Sequence, residues 1–365
     1  MALRFGDDRG YAAADNAGFR FFAALHHDRH RHHRDEVMRG QRAIVTAPGQ
    51  VELQWMDPPA PQKGQVLLRA LTTLISPGTE RAFFLNLANT NSAYPYCPGY
   101  SFVGEVSALG DDVRTLKKGD RVVCRAAHQS HALVDAGDCL IVPAQLADEE
   151  AAFFALLAVA MQGVRKARIE LGESVAVLGA GVVGILAMRL AQLSGAVPVV
   201  GIDLDERRLE LAKRVGADEA LIGDDRAPDK LRALLGAAGA EVVIELTGAP
   251  AAVVTAFQLA APRGRVVLAG STRGVTSEVN FYRDVHKKGL QVIGGHESAR
   301  PQWEDSPGYW TPMREYAVCL DLMARDRVQT APLITQRYNW REFPAAYAQL
   351  ANWDKEAMGM IIEWD

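Results

Sequence analysis

The residues with the clearest chemical meaning are three glycines in the run V-A-V-L-G-A-G-V-V-G-I-L-A. Gly179, Gly181 and Gly184 have the spacing G-x-G-x-x-G. That spacing arises easily by chance, and its context is what gives it weight: an apolar stretch, residues 174–178, leads into it and a helix-like stretch, residues 184–193, leaves it. Gly179 permits a tight turn, Gly181 lets backbone approach a pyrophosphate, and Gly184 lets the helix pack closely on the strand. Val182 and Val183 open a helix whose free N–H groups and partial positive charge suit phosphate. A second apolar stretch, residues 197–202, ends at Asp203, about 20 residues further on. A carboxylate there accepts from the adenosine ribose hydroxyls and repels a 2′-phosphate, which favours NAD over NADP. Asp203 could instead cap the helix beginning near Glu206, a task open equally to Asp205. Arg208 either lies over the ribose or is an exposed helix charge.

The elements that must position this turn change character along the chain. From residue 42 to about 143 the pattern is one of short β-leaning stretches: 43–47, 51–56, 64–75, 104–109, 121–124 and 139–143. Pro48-Gly49 and Ser76-Pro77-Gly78 punctuate them, as expected of a compact, barrel-like β domain. Residues 149–168 are rich in Ala and Leu and read as one helix. Strand and helix then alternate: strands at 174–178, 197–202, 241–245, 265–269 and 290–293, with helices at 184–193, 206–215 and 251–259. Alternation of this kind implies βαβ units and a parallel sheet covered on both faces. A polar, aromatic loop follows, then helices near 312–325 and 343–350 and a strand at 358–364.

Composition bounds the rest. The 365 residues are 48% apolar and 23% charged, which is ordinary for a soluble globular chain of about two domains. A net charge of −4 gives no basic excess for nucleic acid. The longest apolar run, residues 151–161, is too short to span a bilayer, and no signal-peptide core opens the chain, so a cytoplasmic protein is expected. Cys97, Cys124, Cys139 and Cys319 form no C-x-x-C pair and no zinc module, as expected of reduced thiols. The first 40 residues, with His26, His27, His30, His32 and His33 among arginines, read as a solvated extension, although such tracts can also chelate metal.

The whole pattern resembles the medium-chain dehydrogenase/reductase superfamily. C-P-G-Y-S-F-V-G-E-V-S-A-L-G-D-D-V, K-K-G-D-R-V-V, E-L-T-G-A-P and G-R-V-V-L-A-G occur in that family's order from about Gln41 to the end. The resemblance implies a GroES-like catalytic domain over 41–164 and 297–365 and a Rossmann-type NAD-binding domain over 165–296. It implies cofactor contacts from Gly179, Gly181, Val182, Val183, Gly184, Asp203 and Arg208, and also from Thr247, Gly270 and Ser271. It further implies a small-molecule substrate and a homo-oligomer, dimer or tetramer. The family's zinc ligands are absent: the catalytic Cys position holds Pro77, the His-Glu pair is Tyr100-Ser101, and the third position is Phe154. Zinc prefers Cys, His and carboxylate, so no metal is expected. The segments S-P-G-T-E-R and P-G-Y-S are similar to a zinc-lacking branch that includes hydroxyethyl-bacteriochlorophyllide dehydrogenases and assorted sugar and secondary-metabolite oxidoreductases.

Without a metal, side chains must handle the alkoxide that accompanies hydride transfer. Thr79 matches the family's proton-relaying Ser/Thr, or else merely bonds its own turn. Glu80 is an acid/base or a structural ion-pair partner. Tyr100 would put its phenol in the old metal pocket, or simply fill it. His296, beside Glu297 after the last strand of the alternating region, has the side-chain type with the better matched acidity: an unperturbed pKa of about 6.5 against about 10 for tyrosine. The expected order for the final proton acceptor is therefore His296, Tyr100, Glu80. Tyr96, Ser101, His128, Glu297, Arg300 and Trp310 are candidate lining residues, which suits a sugar, a cyclitol or a biosynthetic intermediate. The expected reaction is reversible oxidation of a secondary alcohol by NAD. The alternatives are reduction of an activated C=C or C=N bond, and nucleotide binding without turnover.

Overall fold

β1 (Gly40–Ala47) and β2 (Gln50–Met56) fold back on each other around Pro48-Gly49. These and all later elements come from a computed structural model that describes residues 39–352 and 356–364, so the His-rich run lies outside the described residues. β3 (Gln65–Ile75) is the hub of the first large sheet: alternately buried in its first half and continuously buried in its last, it takes three partners. Ser76 ends this strand and caps α1 (Pro77–Phe84) at once. Proline at the first helical position loses no hydrogen bond, which is why a stretch that reads as a turn is a helix start. β4 (Phe102–Leu109), β5 (Arg121–Cys124), β6 (His131–Asp135) and β7 (Leu140–Ile141) complete this part of the sheet.

The single helix expected over 149–168 is two, α2 (Asp148–Ala151) and α3 (Phe154–Ala167). The buried Ser101 hydroxyl donates to the Ala152 carbonyl at 2.6 Å, claiming an acceptor at the break. α3 is buried almost all round. Its Phe154 and Leu157 share one core with Leu74 and Val103 of the first sheet and with Val177 and Ile185 beyond.

The second sheet is fully parallel: β8 (Val175–Leu178), α4 (Val182–Leu193), β9 (Val199–Asp203), α5 (Glu206–Val215), β10 (Glu219–Ile222), α6 (Ala227–Leu235), β11 (Ala240–Glu245), α7 (Pro250–Leu259), β12 (Ala260–Leu268) and β13 (Gln291–Gly294). The strand order β10-β9-β8-β11-β12-β13 reverses between β8 and β11, the place where doubly wound sheets open a crevice for dinucleotides. The sequence reading did not include β10 and α6. β10 is only half-buried and too short to show a period. The chain then forms α8 (Pro312–Ala324), β14 (Ile334–Asn339), α9 (Phe343–Ala351) and β15 (Gly359–Glu363), and β15 pairs antiparallel with β3. The C-terminal return thus closes the first sheet, and residues 296–311 pass from one sheet to the other. Among the described residues no helix is long and apolar enough to cross a membrane.

α4 sits so close to the end of β8 that a Cβ on Gly184 would lie 1.8 Å from the Gly179 carbonyl oxygen. At Gly181 the same atom would meet nothing within 4 Å. Gly184→Ala should therefore cost roughly 1–3 kcal/mol, as overpacking does, with a lower denaturant midpoint. Gly181→Ala should leave the unfolding free energy within about 0.5 kcal/mol of the parent protein.

Candidate active site

The residues expected to hold a cofactor gather along one edge of the parallel sheet. Gly179 turns with φ +105°, Gly181 caps α4, and Val182 and Val183 form its first turn. Asp203 ends β9 with its Oδ2 accepting from the Ala180 N–H at 2.7 Å and its Oδ1 from the Asp205 N–H at 3.0 Å. Asp205, not Asp203, caps α5, accepting from the N–H groups of Arg207 and Arg208. Asp203 thereby braces the glycine turn, and each oxygen keeps a lone pair for a further donor. Arg208 is half-buried on the first turn of α5.

Thr247 follows β11 and both Gly270 and Ser271 follow β12, on the same edge. Glu245, the last residue of β11, ties these loops together. It is fully buried, and its Oε1 accepts from Thr247 N–H and hydroxyl and from Gly248 N–H. Its Oε2 has no protein partner among the described residues. Burial pushes this carboxyl above its ordinary range. An apolar strand ending in a carboxylate was the signal available for it. Open space at Gly181, the free N-terminus of α4 and Asp203 together fit a dinucleotide, with the pyrophosphate over the turn and the ribose at β9.

The catalytic candidates lie where β3 runs into α1 and meets β4. Tyr100 donates its hydroxyl hydrogen to Ser76 Oγ at 2.6 Å. Burial first, and the nearby Glu297 charge second, push the phenol up to about 12. The Arg125 guanidinium lies over the ring, 4.7 Å from its centre. Arg125 also donates through Nη1 to Glu297 at 3.1 Å and to the Tyr316 hydroxyl at 3.3 Å. Arg300 joins Glu297 to Glu315 at 2.7 and 3.0 Å, and Gln162 donates to the other oxygen of Glu315. Burial pushes Glu297 up, yet Arg125 and Arg300 outweigh it and hold this carboxyl below the usual range. This chain of alternating charge was not visible in the sequence, because its members come from five separate stretches.

The remaining candidates have different settings. Thr79 is half-buried on α1, and its hydroxyl takes no protein partner among the described residues. Glu80, one residue on, turns inward: its Oε1 accepts from the Ser76 N–H at 2.7 Å, while its Oε2 accepts from Tyr347 and lies 3.0 Å from His128 Nε2. His128 is wholly buried, with Nδ1 2.7 Å from the Thr73 hydroxyl. His296 is exposed, and its Nδ1 is engaged by the Ser298 hydroxyl and N–H at 2.8 and 3.1 Å. Its carbonyl accepts from Lys166 at 3.1 Å, which sets it at the border of the charged chain. Two guanidinium groups, those of Arg165 and Arg314, lie over the Trp310 ring, 3.3 and 4.1 Å from its centre. The Tyr96 hydroxyl is buried without a partner among the described residues, and burial pushes it up.

The side chains do not suit zinc. Pro77 and Phe154 have no donor atom, Tyr100 is a neutral phenol, and the Arg125 cation lies over its ring. Among the described residues no three of His, Cys, Asp and Glu cluster as a metal site.

Comparison with known proteins gives two family matches. Residues 62–156 match the Alcohol dehydrogenase GroES-like domain, and residues 182–308 match Zinc-binding dehydrogenase. L-Threonine 3-dehydrogenase of Thermococcus kodakarensis is 30% identical over 321 residues, covering 79% of this chain and 87% of that protein. Human sorbitol dehydrogenase is 27% identical over 331 residues, covering 81% and 88%. Among solved structures, galactitol-1-phosphate dehydrogenase from Escherichia coli superposes with a TM-score of 0.77 at 20% identity, covering 88% of this chain and 99% of that one. That last likeness is one of fold.

Proposed function

Because the chain belongs to the medium-chain dehydrogenase/reductase superfamily, we propose that it transfers hydride between NAD(H) and a secondary alcohol or ketone without zinc, with Tyr100 and Ser76 handling the proton. The coarse activity, alcohol/ketone oxidoreduction with a nicotinamide cofactor, is that of its relatives. The finer reading rests on one observation above the others: at a position where the family binds metal, a half-buried phenol donates to Ser76 beneath a guanidinium. The division into a catalytic part, 41–164 with 297–365, and a cofactor part, 165–296, belongs to the same reading. So does assembly into a dimer or tetramer, for which the exposed edge strand β13 offers unpaired backbone.

When bound, the nicotinamide accepts or supplies the hydride. In ketone reduction a hydride forms the new C–H bond at the carbonyl carbon, the C=O π pair moves to the oxygen, and that oxygen takes a proton from the Ser76 hydroxyl while Tyr100 reprotonates Ser76 along the hydrogen bond already made. In alcohol oxidation the proton runs the other way, from the alcohol to Ser76 and from Ser76 to a Tyr100 that must start as the phenolate and finishes as the phenol. The Arg125 charge favours that phenolate, while burial and Glu297 oppose it. Thr79, with an unengaged hydroxyl one turn along α1, is the other relay candidate. We place Tyr100 ahead of His296 because one ring nitrogen of His296 is committed to its own turn. Glu80 comes last because its two oxygens hold His128, Tyr347 and the Ser76 N–H. A polyhydroxylated substrate suits the polar lining.

Four tests bear on this. Purified protein should hold no stoichiometric zinc by elemental analysis, and chelators should leave turnover unchanged; about one zinc per chain that survives removal of the His-rich run would overturn the reading. Asp203→Ser should weaken NAD binding and improve NADP binding in calorimetry, each on the order of tenfold, as loss of a ribose acceptor and of a repelling charge requires. Tyr100→Phe should lower turnover about 10²-fold or more, while His296→Ala should have a smaller effect. The proton on Tyr100 is held until about pH 12, so ketone reduction, which needs it, should be flat between about pH 7 and 9.5. Alcohol oxidation, which needs it gone, should rise over that range with a slope approaching tenfold per pH unit. A pH limb near neutrality that disappears in His296→Ala would return the role to His296.

A further inference from the structure

Arg125 is held on three sides and open on the fourth. Its plane rests on Tyr100, and its Nη1 serves Glu297 and Tyr316. Its Nε and Nη2, the edge that presents two parallel N–H groups, have no protein partner among the described residues, and the side chain is 37% exposed. A guanidinium edge of this kind matches the two oxygens of a carboxylate and pays little ordering entropy when its plane is already fixed.

The surroundings favour an anion. Five cations, Arg125, Arg165, Lys166, Arg300 and Arg314, sense one another or the same carboxylates across α3, α8 and the 296–311 loop. Among the described residues three carboxylates, Glu297, Glu315 and Asp305, answer them. This surplus stands in a chain whose net charge is −4, so it is local. A cleft of one sign concentrates ligands of the other.

We infer that the substrate is a hydroxy acid, with a carboxylate seated side-on against the Nε–Nη2 edge of Arg125 and the reacting carbinol turned toward Ser76 and Tyr100. This rests on the proposed dehydrogenase reading and adds the substrate's charge to it. It gives Arg125 two tasks that a lysine could not combine: lying flat on the phenol and presenting a paired donor edge.

The test compares matched ligands on the intact protein loaded with NADH. Aldonates and uronates are titrated beside their neutral counterparts, the polyols and the uronate methyl esters, with NADH fluorescence as readout. Wild type should bind at least one acid about 10²-fold more tightly than its neutral counterpart, the usual yield of charge-assisted hydrogen bonds. In Arg125→Met that ratio should collapse toward one, and in Arg125→Lys it should recover only in part. Thermal melting, and NADH affinity measured separately, check that both variants fold and still take the cofactor. If wild type binds no acid more tightly than its neutral counterpart, or if the preference survives in Arg125→Met, the inference is overturned. The dehydrogenase reading fails separately, by a zinc requirement for turnover or by failure to oxidise any alcohol, whichever way the binding ratios fall.

Discussion

Arg300 is 5% exposed at its side chain and, being a guanidinium, has no neutral form to fall back on. Its burial is tolerable only with carboxylates in contact, and breaking such a pair typically costs about 3–5 kcal/mol. That requirement fixes Glu297 and Glu315 on either side of it. Glu297 then reaches outward to Arg125, and Arg125 lies down on Tyr100. Glu315 in turn engages Gln162 of α3, the helix whose packing joins the two sheets. The position of the phenol is thus the far end of a chain that begins with one buried charge.

Two buried carboxylates show how this site differs from the cofactor edge. Burial acts on Glu245 and Glu297 in the same direction, upward. Glu245 has only backbone N–H groups and the Thr247 hydroxyl for support, and it stays above the ordinary range. Glu297 has two guanidinium groups and falls below it. The first braces its loops through hydrogen bonds alone. The second must be an anion, because it balances the cation over the phenol. The loop that carries Glu297 is therefore held by ion pairs, and the loops after β11 and β12 by backbone hydrogen bonds.

The legible parts of the sequence were those whose chemistry is local. Gly179, Gly181 and Gly184 act within one turn, and Asp203 follows at a spacing set by one βαβ unit. The alternating strands could be read because burial on both faces leaves continuous apolar runs such as V-A-V-L. The helix at Pro77 was hidden because proline signals both a strand's end and a helix's first residue. The break before α3 was hidden because its cause, Ser101, lies 51 residues away. Glu80 and His128, 48 residues apart, could not be paired from spacing alone, and the same holds for Arg125 and Glu297, 172 apart. Arg125, just past the end of β5, carries no local sequence signal of its own.

Replacing a divalent metal is a problem of charge as much as of ligands. A zinc ion brings positive charge to the reacting oxygen and lowers the cost of the alkoxide; a pocket that loses its ligands loses that charge too. Removing Cys and His and inserting proline and phenylalanine would leave an apolar hole in which an alkoxide is strongly disfavoured. Here the hole is not apolar. On the proposed zinc-free reading a tyrosine stands at one ligand position; its hydroxyl donates to Ser76, and a guanidinium covers its face. A phenol pushed up by burial is a weak base, so the arrangement favours giving a proton over taking one. The cation above it and a positively charged oxidised nicotinamide both act against that bias, and both are strongest in a site closed to water. The substitution is therefore coherent only as a set. Tyr100 without Arg125 would be a filler, and Arg125 without the Glu297–Arg300–Glu315 chain would have no fixed place over the ring.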